Sequence, residues 1–460
     1  MRKISTKKIK TAVKTLCQKS AVKLDKRTYN LLFEAYKKEQ NTASKEILGQ
    51  ILQNLSLANS TQRPICQDTG QVIVFLEVGQ DVHITDGNLE NSINDAIAEC
   101  YTENYLRKSI NYCLERKNTE NNTPAIIHTR IVDGDSIKID ICLKGGGSEN
   151  MSRSEMLYPA KGKEGVLDFI KETVKKASLK ACPPLVIGIG IGGNLEVSAI
   201  NAKRALLLKT EQTQVEKDFL NAVNSLNIGA SGQGGNTTAI DLKIIETPCH
   251  IASLPVSVAL NCHAARHSSA IIKDEIKYDF DDYETPEFEI SKETKEVFAD
   301  DAETLRNLKK GEKILLTGKI YTARDEAHKR LLADDKKPFD IKNSIIFYAG
   351  PCPATPNEII GPVGPTTSAR MDTYTEELLE MGLLATIGKG ERSDEIIQAI
   401  QKHNAVYFGA TGGVASLLGK CVKSSKLIAY PDLGTEAIYE LFVEKMPLFV
   451  LCGKIDEDFS

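Results

Sequence analysis

The sequence predicts an α/β protein built from two domains. Its 460 residues are enough for about three folding units, with two or four also possible. Apolar runs typical of strands alternate with helical spacing, which indicates an α/β layer with some parallel pairing. An acidic stretch at 274–302, with no Gly and one Pro, separates two regions of ordinary globular composition. Such a charge run is typical of a solvated linker.

The first domain is expected to span 1–275 and to begin with helices. Apolar residues on one helical face predict helical structure up to about residue 60; they are Ile47, Leu48, Ile51, Leu52 and Leu55. Near 126–142, Ile137, Ile139 and Ile141 alternate with polar residues, as in a half-buried strand. From 182 to 270, apolar runs alternate with Gly-rich turns, which indicates a mixed α/β domain with functional loops.

The second domain is expected at 291–460, after an acidic linker at 276–290. Five short apolar runs are candidate strands: 314–316, 345–348, 406–408, 427–430 and 448–451. Helical patterns lie between them, near 324–334, 374–382, 393–403 and 413–422.

Charge and hydropathy exclude several classes of function. With 58 Lys plus Arg against 62 Asp plus Glu, the net charge is −4, so no basic field for nucleic acid exists. No run approaches the ~20 apolar residues of a membrane span. The basic segment 1–24 lacks the apolar core of a secretory signal, so we expect a cytoplasmic protein.

Three of the eleven cysteines have surroundings that suit a thiolate. Cys66 lies in PICQDTG, Cys182 precedes a Gly-rich run, and Cys262 lies in LNCHAARH. Each one alone is more simply a packed thiol, but three soft thiolates together favour an iron–sulfur cluster, zinc or copper(I). Their spacings of 116 and 80 residues are unlike the short-spaced runs of ferredoxins or zinc knuckles. They could converge only in a folded domain.

Two Gly-rich runs, 188–193 and 229–236, match neither a Rossmann fingerprint nor a P-loop. Both could be tight turns, or could let backbone N–H groups approach an anion or a cluster. In the second half, a Gly/Pro loop at 361–372 ends in hydroxyls and Arg370. Arg324 opens a predicted helix and Lys389 follows a predicted strand. Two guanidinium groups and an ammonium near loop ends suit a dicarboxylate.

Eight segments, in this order, resemble the class I fumarase and L-tartrate dehydratase family of iron–sulfur hydro-lyases, from about residue 60 to the end. They are PICQDTG, KGGGSEN, ACPPLVIGIGIGGNLE, GASGQGGNTTAID, HIASLPVSVALNCHAARH, GKIYTARDEAHKR, GPVGPTTSARMD and ATIGKG. The resemblance implies an N-terminal cluster-binding domain fused to a C-terminal swivelling-type α/β domain. It also implies that Cys66, Cys182 and Cys262 hold a [4Fe–4S] cluster with one iron free of protein ligand.

Further roles follow from the same resemblance, position by position. The expected substrate-binding residues are Gln67, Arg107, Gly146, Arg324, Arg370 and Lys389. The expected catalytic residues are Thr366, Asp68 and His250, with Thr366 as the base and Asp68 assisting it. The implied reaction is reversible hydration of fumarate to L-malate by a site that lies between the domains. A homodimer is expected, with a small dicarboxylate as its substrate and no nucleic-acid or membrane partner.

Several alternatives stay open at this point. L-Tartrate or mesaconate could replace fumarate, since these molecules differ by a hydroxyl or a methyl group. An iron–sulfur electron carrier or sensor would need a fourth ligand, for which Cys249 and Cys352 are available. A zinc protein and a regulatory binding protein with an inactive site are the remaining possibilities.

Overall fold

The computed structural model describes residues 1–177, 180–280, 283–285 and 294–454. The chain divides into two compact units, Met1–Glu287 and Phe288–Ser460. Both are mixed α/β, which confirms the predicted fold class of two α/β domains. No helix in the described ranges is both long enough and apolar enough to cross a bilayer.

The first unit opens with a short strand and then three helices, in the region up to about residue 60 that the sequence predicts to be helical. Its helices are α1 Thr6–Val22, α2 Lys26–Lys38, α3 Thr42–Thr61, α4 Leu89–Glu103, α5 Gly146–Glu149, α6 Gly162–Ala177, α7 Leu195–Ala205 and α8 Gln214–Asn224. Polar side chains cap the N-termini of several helices. Ser5 accepts from the backbone N–H of Lys8 at α1, and Asp25 accepts from that of Thr28 at α2.

The strands of the first unit form two larger sheets and one pair. They are β1 Arg2–Ser5, β2 Gln71–Gly79, β3 Val82–Thr85, β4 Ile126–Val132, β5 Ile137–Lys144, β6 Arg153–Leu157, β7 Leu185–Gly192, β8 Ala239–Thr247, β9 Leu254–Asn261, β10 His267–Ile272 and β11 Ile276–Tyr278. The five-stranded sheet has the order β11-β10-β5-β2-β4, and the four-stranded sheet has the order β6-β9-β7-β8. β11 lies at the start of the expected linker, and most of the remaining linker lies outside the described residues.

Each larger sheet carries its own apolar core. Helix α1 packs on the five-stranded sheet and against α4, and Leu16, Ile97 and Ile139 belong to one buried apolar cluster. Helices α6 and α8 cover the four-stranded sheet through Phe169 and Phe219. Fully burying side chains of this size contributes about 1.5–3 kcal/mol each before conformational entropy is subtracted.

The second unit contains a predominantly parallel sheet. Its strands are β12 Lys295–Phe298, β13 Lys313–Thr322, β14 Ile345–Phe347, β15 Ala385–Gly388, β16 Val406–Gly409, β17 Val422–Ala429 and β18 Ile438–Cys452. The order is β12-β13-β14-β15-β16-β18-β17, with β12 to β16 parallel and β18 antiparallel to its neighbours. β13 also pairs with β18, so the strands from β13 to β18 close into a ring.

The helices of the second unit follow its parallel strands. They are α9 Ala302–Arg306, α10 Asp325–Ala333, α11 Asp372–Glu380, α12 Asp394–Lys402 and α13 Ala415–Cys421. This alternation confirms the predicted order of strands and helices, although β13, β17 and β18 extend well beyond the predicted runs and β12 was not predicted. Because the strands are parallel, the loops that follow β13, β14 and β15 leave from the same edge of the sheet. Arg324, the 361–372 loop and Lys389 are in those loops.

Candidate functional site

The three predicted cysteines lie at strand ends in the first unit. Cys66 precedes β2, Cys182 precedes β7, and Cys262 follows β9. The segment 262–266 connects β9 of the four-stranded sheet to β10 of the five-stranded sheet. β7 and β9 pair with Val186 opposite Asn261, which brings the chain near Cys182 and Cys262 to one end of that pair. The pairing of β7 with β9 therefore brings Cys182 and Cys262, which are 80 residues apart in the sequence, to the same end of the sheet.

The three thiols are close enough to influence one another electrostatically. Burial, and then the neighbouring Cys182 and Cys66 thiols, raise the pKa of Cys262 to about 12. Burial also raises the pKa of Cys66, an effect that the cationic Arg266 opposes. Three mutually repelling, desolvated thiolates need a strong positive partner, and a bound metal centre is such a partner.

Arg266 is a buried cation at this site. Its guanidinium donates from Nη1 to the backbone oxygen of Asp68 at 2.6 Å, and the residue is 1% exposed. Its Nε has no hydrogen-bond partner among the described residues. A buried guanidinium is costly unless negative charge compensates it. A thiolate-held cluster carries such charge, so this set of donors fits an iron–sulfur centre.

Within the described part of the chain, no group of three or more His, Cys, Asp or Glu side chains is arranged to hold one metal ion. Thiolates that bind three different irons of a cluster need not converge on one point, whereas tetrahedral zinc ligands must. The choice between a cluster and a zinc ion stays a prediction.

Asp68 is held as a carboxylate beside the cysteines. Its Oδ2 accepts from the backbone N–H of Gly146 at 2.8 Å, and its Oδ1 accepts from that of Gly70 at 3.1 Å. Arg107 Nη2 lies 3.4 Å from Oδ1. Burial alone would raise the pKa of Asp68, but Arg107, Arg266 and the two N–H donors lower it below its usual range.

The structure thus brings most of the predicted site residues of the first unit together. Gln67 joins them, since its Oε1 accepts from the Cys66 thiol at 3.5 Å. His250 lies on an exposed turn after β8, where its Nδ1 accepts from the backbone N–H of Ala252 at 3.2 Å. In the described ranges its hydrogen bonds stay within that turn, so its catalytic role stays a prediction.

In the second unit, Thr366 and the predicted cations form a second group. Arg370 Nη2 donates to the Thr366 hydroxyl at 2.6 Å, and Arg370 Nη1 lies 3.3 Å from Asp325 Oδ2. The Lys389 N–H donates to the Thr366 carbonyl at 3.1 Å. Arg324 directly precedes Asp325 and pairs with Glu436 at 3.3 Å. This group therefore combines a hydroxyl, three cations and two carboxylates.

The two Gly-rich runs make close contacts within the first unit. A Cβ at Gly188 or Gly190 would lie about 2 Å from backbone oxygens of α7, so the first run lets that helix pack directly on β7. In the second run, the Asn236 N–H donates to the buried carboxylate of Glu39 at 3.0 Å. This N–H is therefore bound by the protein's own carboxylate.

Local sequence patterns indicate no role for Arg266 or Arg392, which are both buried. Their positions, four residues after Cys262 and three after Lys389, were the available signal. A lone Arg in a loop is usually surface charge, so only the packing distinguishes them.

Comparison with known proteins shows the family of this chain. Residues 10–271 match the family model described as fumarate hydratase (fumerase), and residues 270–459 match the fumarase C-terminus model. The class I anaerobic fumarate hydratase of Escherichia coli K12 is 32% identical over 467 residues, covering 92% of this chain and 83% of its own. The putative class I fumarate hydratase of Geobacillus stearothermophilus is 28% identical, covering 93% and 91%.

A third relative matches mainly the first unit. It is the putative L(+)-tartrate dehydratase subunit alpha of Methanocaldococcus jannaschii, 39% identical over 279 residues, which are 58% of this chain and 98% of its own. Fold, site and matches together define a two-domain α/β enzyme of the hydro-lyase class. The chain belongs to the class I fumarate hydratase family.

Proposed function

We propose that this protein catalyses the reversible hydration of fumarate to L-malate, using a [4Fe–4S] cluster held by Cys66, Cys182 and Cys262. The observation that carries the proposal is the group of three mutually interacting thiols, two of them buried and one half-buried, with the buried Arg266 beside Cys66 and Cys262. When bound by three thiolates, such a cluster supplies an open iron position that acts as a Lewis acid toward substrate oxygens.

The cations of the second unit would bind the carboxylate remote from the cluster. Arg370 and Arg324 present guanidinium forks, and Lys389 adds a point charge. Arg370 is 45% exposed and Arg324 is 15% exposed, so the former has more room to engage a ligand. Gln67, Arg107 and the N–H groups near Gly146 would orient the end of the substrate nearer the cluster.

Thr366 would move the proton at the carbon next to the hydroxyl-bearing carbon. A threonine hydroxyl is a weak base, but Arg370 donates to its oxygen and so favours the deprotonated form. Asp68 would assist as a carboxylate, because its lowered pKa keeps it ionised at neutral pH. His250 is proposed as a further acid or base.

The test is an anaerobic assay of the iron-loaded protein, following the loss of fumarate absorbance. L-Tartrate and mesaconate are assayed beside it at matched concentrations. We expect fumarate to give the highest kcat/KM. If none of the three is converted while iron and acid-labile sulfide are at full content, the proposed function is wrong.

L-Tartrate is the second candidate substrate, favoured by the match of the first unit to a tartrate dehydratase alpha subunit. One small group distinguishes substrates by about 10–200-fold in a simple apolar pocket. A preference for tartrate beyond that range would replace the fumarase assignment with a dehydratase. The homodimeric state and the cytoplasmic location stay predictions.

A further inference from the structure

The second unit contains a wholly buried arginine, Arg392, three residues after Lys389. The side chain of Arg392 has 0% exposure. Its Nε donates to Asp372 Oδ1 at 2.5 Å, its Nη2 donates to the Thr375 hydroxyl, and its Nη1 lies 3.4 Å from the Tyr348 hydroxyl. The guanidinium also lies 5.5 Å from the ring centre of Tyr348 and 5.3 Å from that of Tyr407. Such a desolvated charge is retained only where its partners are fixed.

Arg392 and its partner Asp372 belong to two loops that carry the predicted substrate-binding groups. We name them the Thr366 loop, residues 366–372, and the Lys389 loop, residues 388–393. The Ser368 N–H donates to the Lys389 carbonyl at 2.9 Å, while the Lys389 N–H donates to the Thr366 carbonyl at 3.1 Å. The two backbones are therefore paired at the point where Thr366 and Lys389 stand side by side.

Asp372 links the loops a second time. One of its oxygens accepts from Arg392 Nε, and the other accepts from the Ser393 N–H at 2.9 Å. Asp372 ends the Thr366 loop two residues after Arg370, and Arg392 follows Lys389 by three residues. A shift of the Arg392–Asp372 pair would thus be transmitted to both Arg370 and Lys389.

Tyr407 on β16 completes the connection. Its hydroxyl lies 2.6 Å from the Gly390 carbonyl and 2.8 Å from the Ser368 hydroxyl, so it contacts both loops. The approach is tight, because a Cβ at Gly388 would lie 2.0 Å from Ser368 Oγ. Two buried side chains, Arg392 and Tyr407, therefore contact both loops.

We propose that Arg392 is a positioning residue that sets the separation of Arg370 and Lys389, and thereby the length of dicarboxylate that the second unit accepts. The proposal rests on the proposed function, since it gives those cations their role. Misplacing binding groups by about 1 Å can reduce turnover by roughly 10²-fold. In the described structure Arg392 makes no hydrogen bond or ion pair with the side chains of Thr366, Arg370 or Lys389, so its effect must be indirect.

The test is a double-mutant cycle in the iron-loaded full chain. Arg392→Lys keeps the charge but loses the fork, and Lys389→Ala removes one group that Arg392 positions. We expect each single variant to lower kcat/KM for fumarate by roughly 30- to 1000-fold. In the double variant the combined loss should be at least tenfold smaller than the product, because the two residues act through one arrangement. Calorimetry with fumarate should show the same coupling in affinity.

Arg330→Lys is the matched control. Arg330 lies on α10 in a surface ion pair with Asp432 at 2.7 Å, and we expect less than about a twofold change and no coupling to Lys389→Ala. If Arg392→Lys does not fold, Tyr407→Phe removes a single hydroxyl from the same connection and should couple to Lys389→Ala in the same direction. Succinate and glutarate serve as inhibitor probes of length, and the preference between them should change in the Arg392 or Tyr407 variant.

The possible failures are distinguishable. If wild type converts and binds fumarate but the losses multiply and the length preference is unchanged, Arg392 is a structural residue and the inference is wrong. If wild type neither binds nor converts fumarate with a full cluster content, the proposed function fails, and this inference falls with it.

Discussion

The cysteine group of the first unit and the cation group of the second differ in how their charges are held. Around Cys66, Arg266 is 1% exposed, and the half-buried Asp68 receives two backbone N–H groups and lies beside two guanidinium groups. Around Thr366, the charges reach outward, with Arg370 45% exposed and its partner Asp325 31% exposed. The first group suits the proposed cluster, and the second suits the proposed dicarboxylate.

This difference predicts different consequences for substitutions in the two groups. Removing one member of a buried charge set leaves its partner uncompensated, which costs about 3–5 kcal/mol and affects folding or cofactor retention. Removing an outward-facing cation mainly weakens binding and turnover, because water replaces the lost partner. Variants in the two groups should therefore fail in different assays.

The largest effect is expected for Cys182→Ser. Removing one of three thiolates should abolish cluster retention, so iron and acid-labile sulfide should fall to background and activity should be lost. Cys352→Ser is the control, since Cys352 is equally buried but lies in the second unit. Full iron content in the Cys182 variant, or loss of iron in the Cys352 variant, would show that the ligand set is wrong.

Thr366→Ala should give the next largest loss. Proton transfer by a positioned side chain contributes about 10²–10⁴-fold, so kcat should fall in that range while fumarate affinity changes far less. Thr373→Ala, at an exposed position on α11, should leave both quantities unchanged. A Thr366 variant whose affinity falls as much as its kcat would point to a binding role instead.

Arg370→Lys tests whether turnover needs the two-pronged hydrogen bonding of the guanidinium group in addition to its positive charge. The lost set of charge-assisted hydrogen bonds should cost about 2–4 kcal/mol, or roughly 30- to 1000-fold in kcat/KM, with iron content unchanged. Steady-state kinetics beside Arg330→Lys would check it. Near-wild-type turnover in Arg370→Lys would mean that a point charge is sufficient.

The smallest expected effect is on the pH dependence of stability, through the buried histidine next to Arg324. His328 on α10 is buried against Tyr348 and Tyr374, with Nδ1 2.8 Å from the Arg324 carbonyl. Burial lowers the pKa of His328 to about 4, opposed by the Arg324 carbonyl and Asp325 and reinforced by Arg392.

Because the folded pKa of His328 lies below the ordinary value of 6.5, the unfolded chain binds the proton more readily. Stability is therefore full above pH 6.5 and falls as the pH drops toward about 4, by at most about 3 kcal/mol. In His328→Phe the denaturation midpoint should depend less steeply on pH across that range. An identical pH dependence in the two proteins would contradict this.

The sequence predicted the residues that stand inside distinctive segments and missed those that support them. Cys66, Arg370 and Lys389 were identified because Gly and Pro around them predict loops at strand ends. Arg392 and Arg266 act through packing between segments far apart in the chain, which no local pattern records. The Gly-rich runs are a different case, because their composition is compatible with anion binding. In the structure, α7 packs closely on the first run, and Glu39 accepts from an N–H of the second run.

The domain architecture was predictable because its signals are local. Strand and helix periods alternate in the second unit, and an acidic stretch separates two globular compositions. The pairing of β13 with β18, which closes the ring of strands, was not predictable, since it joins segments more than 100 residues apart. How the three cysteines meet was hidden for the same reason.

Proton NMR of fumarate incubated anaerobically with the iron-loaded protein in D₂O tests the central claim most directly. We predict malate carrying one deuterium at the carbon next to the hydroxyl-bearing carbon, and the same final ratio of malate to fumarate when the reaction starts from L-malate. An unchanged fumarate signal, with iron and acid-labile sulfide at full content, would contradict the account.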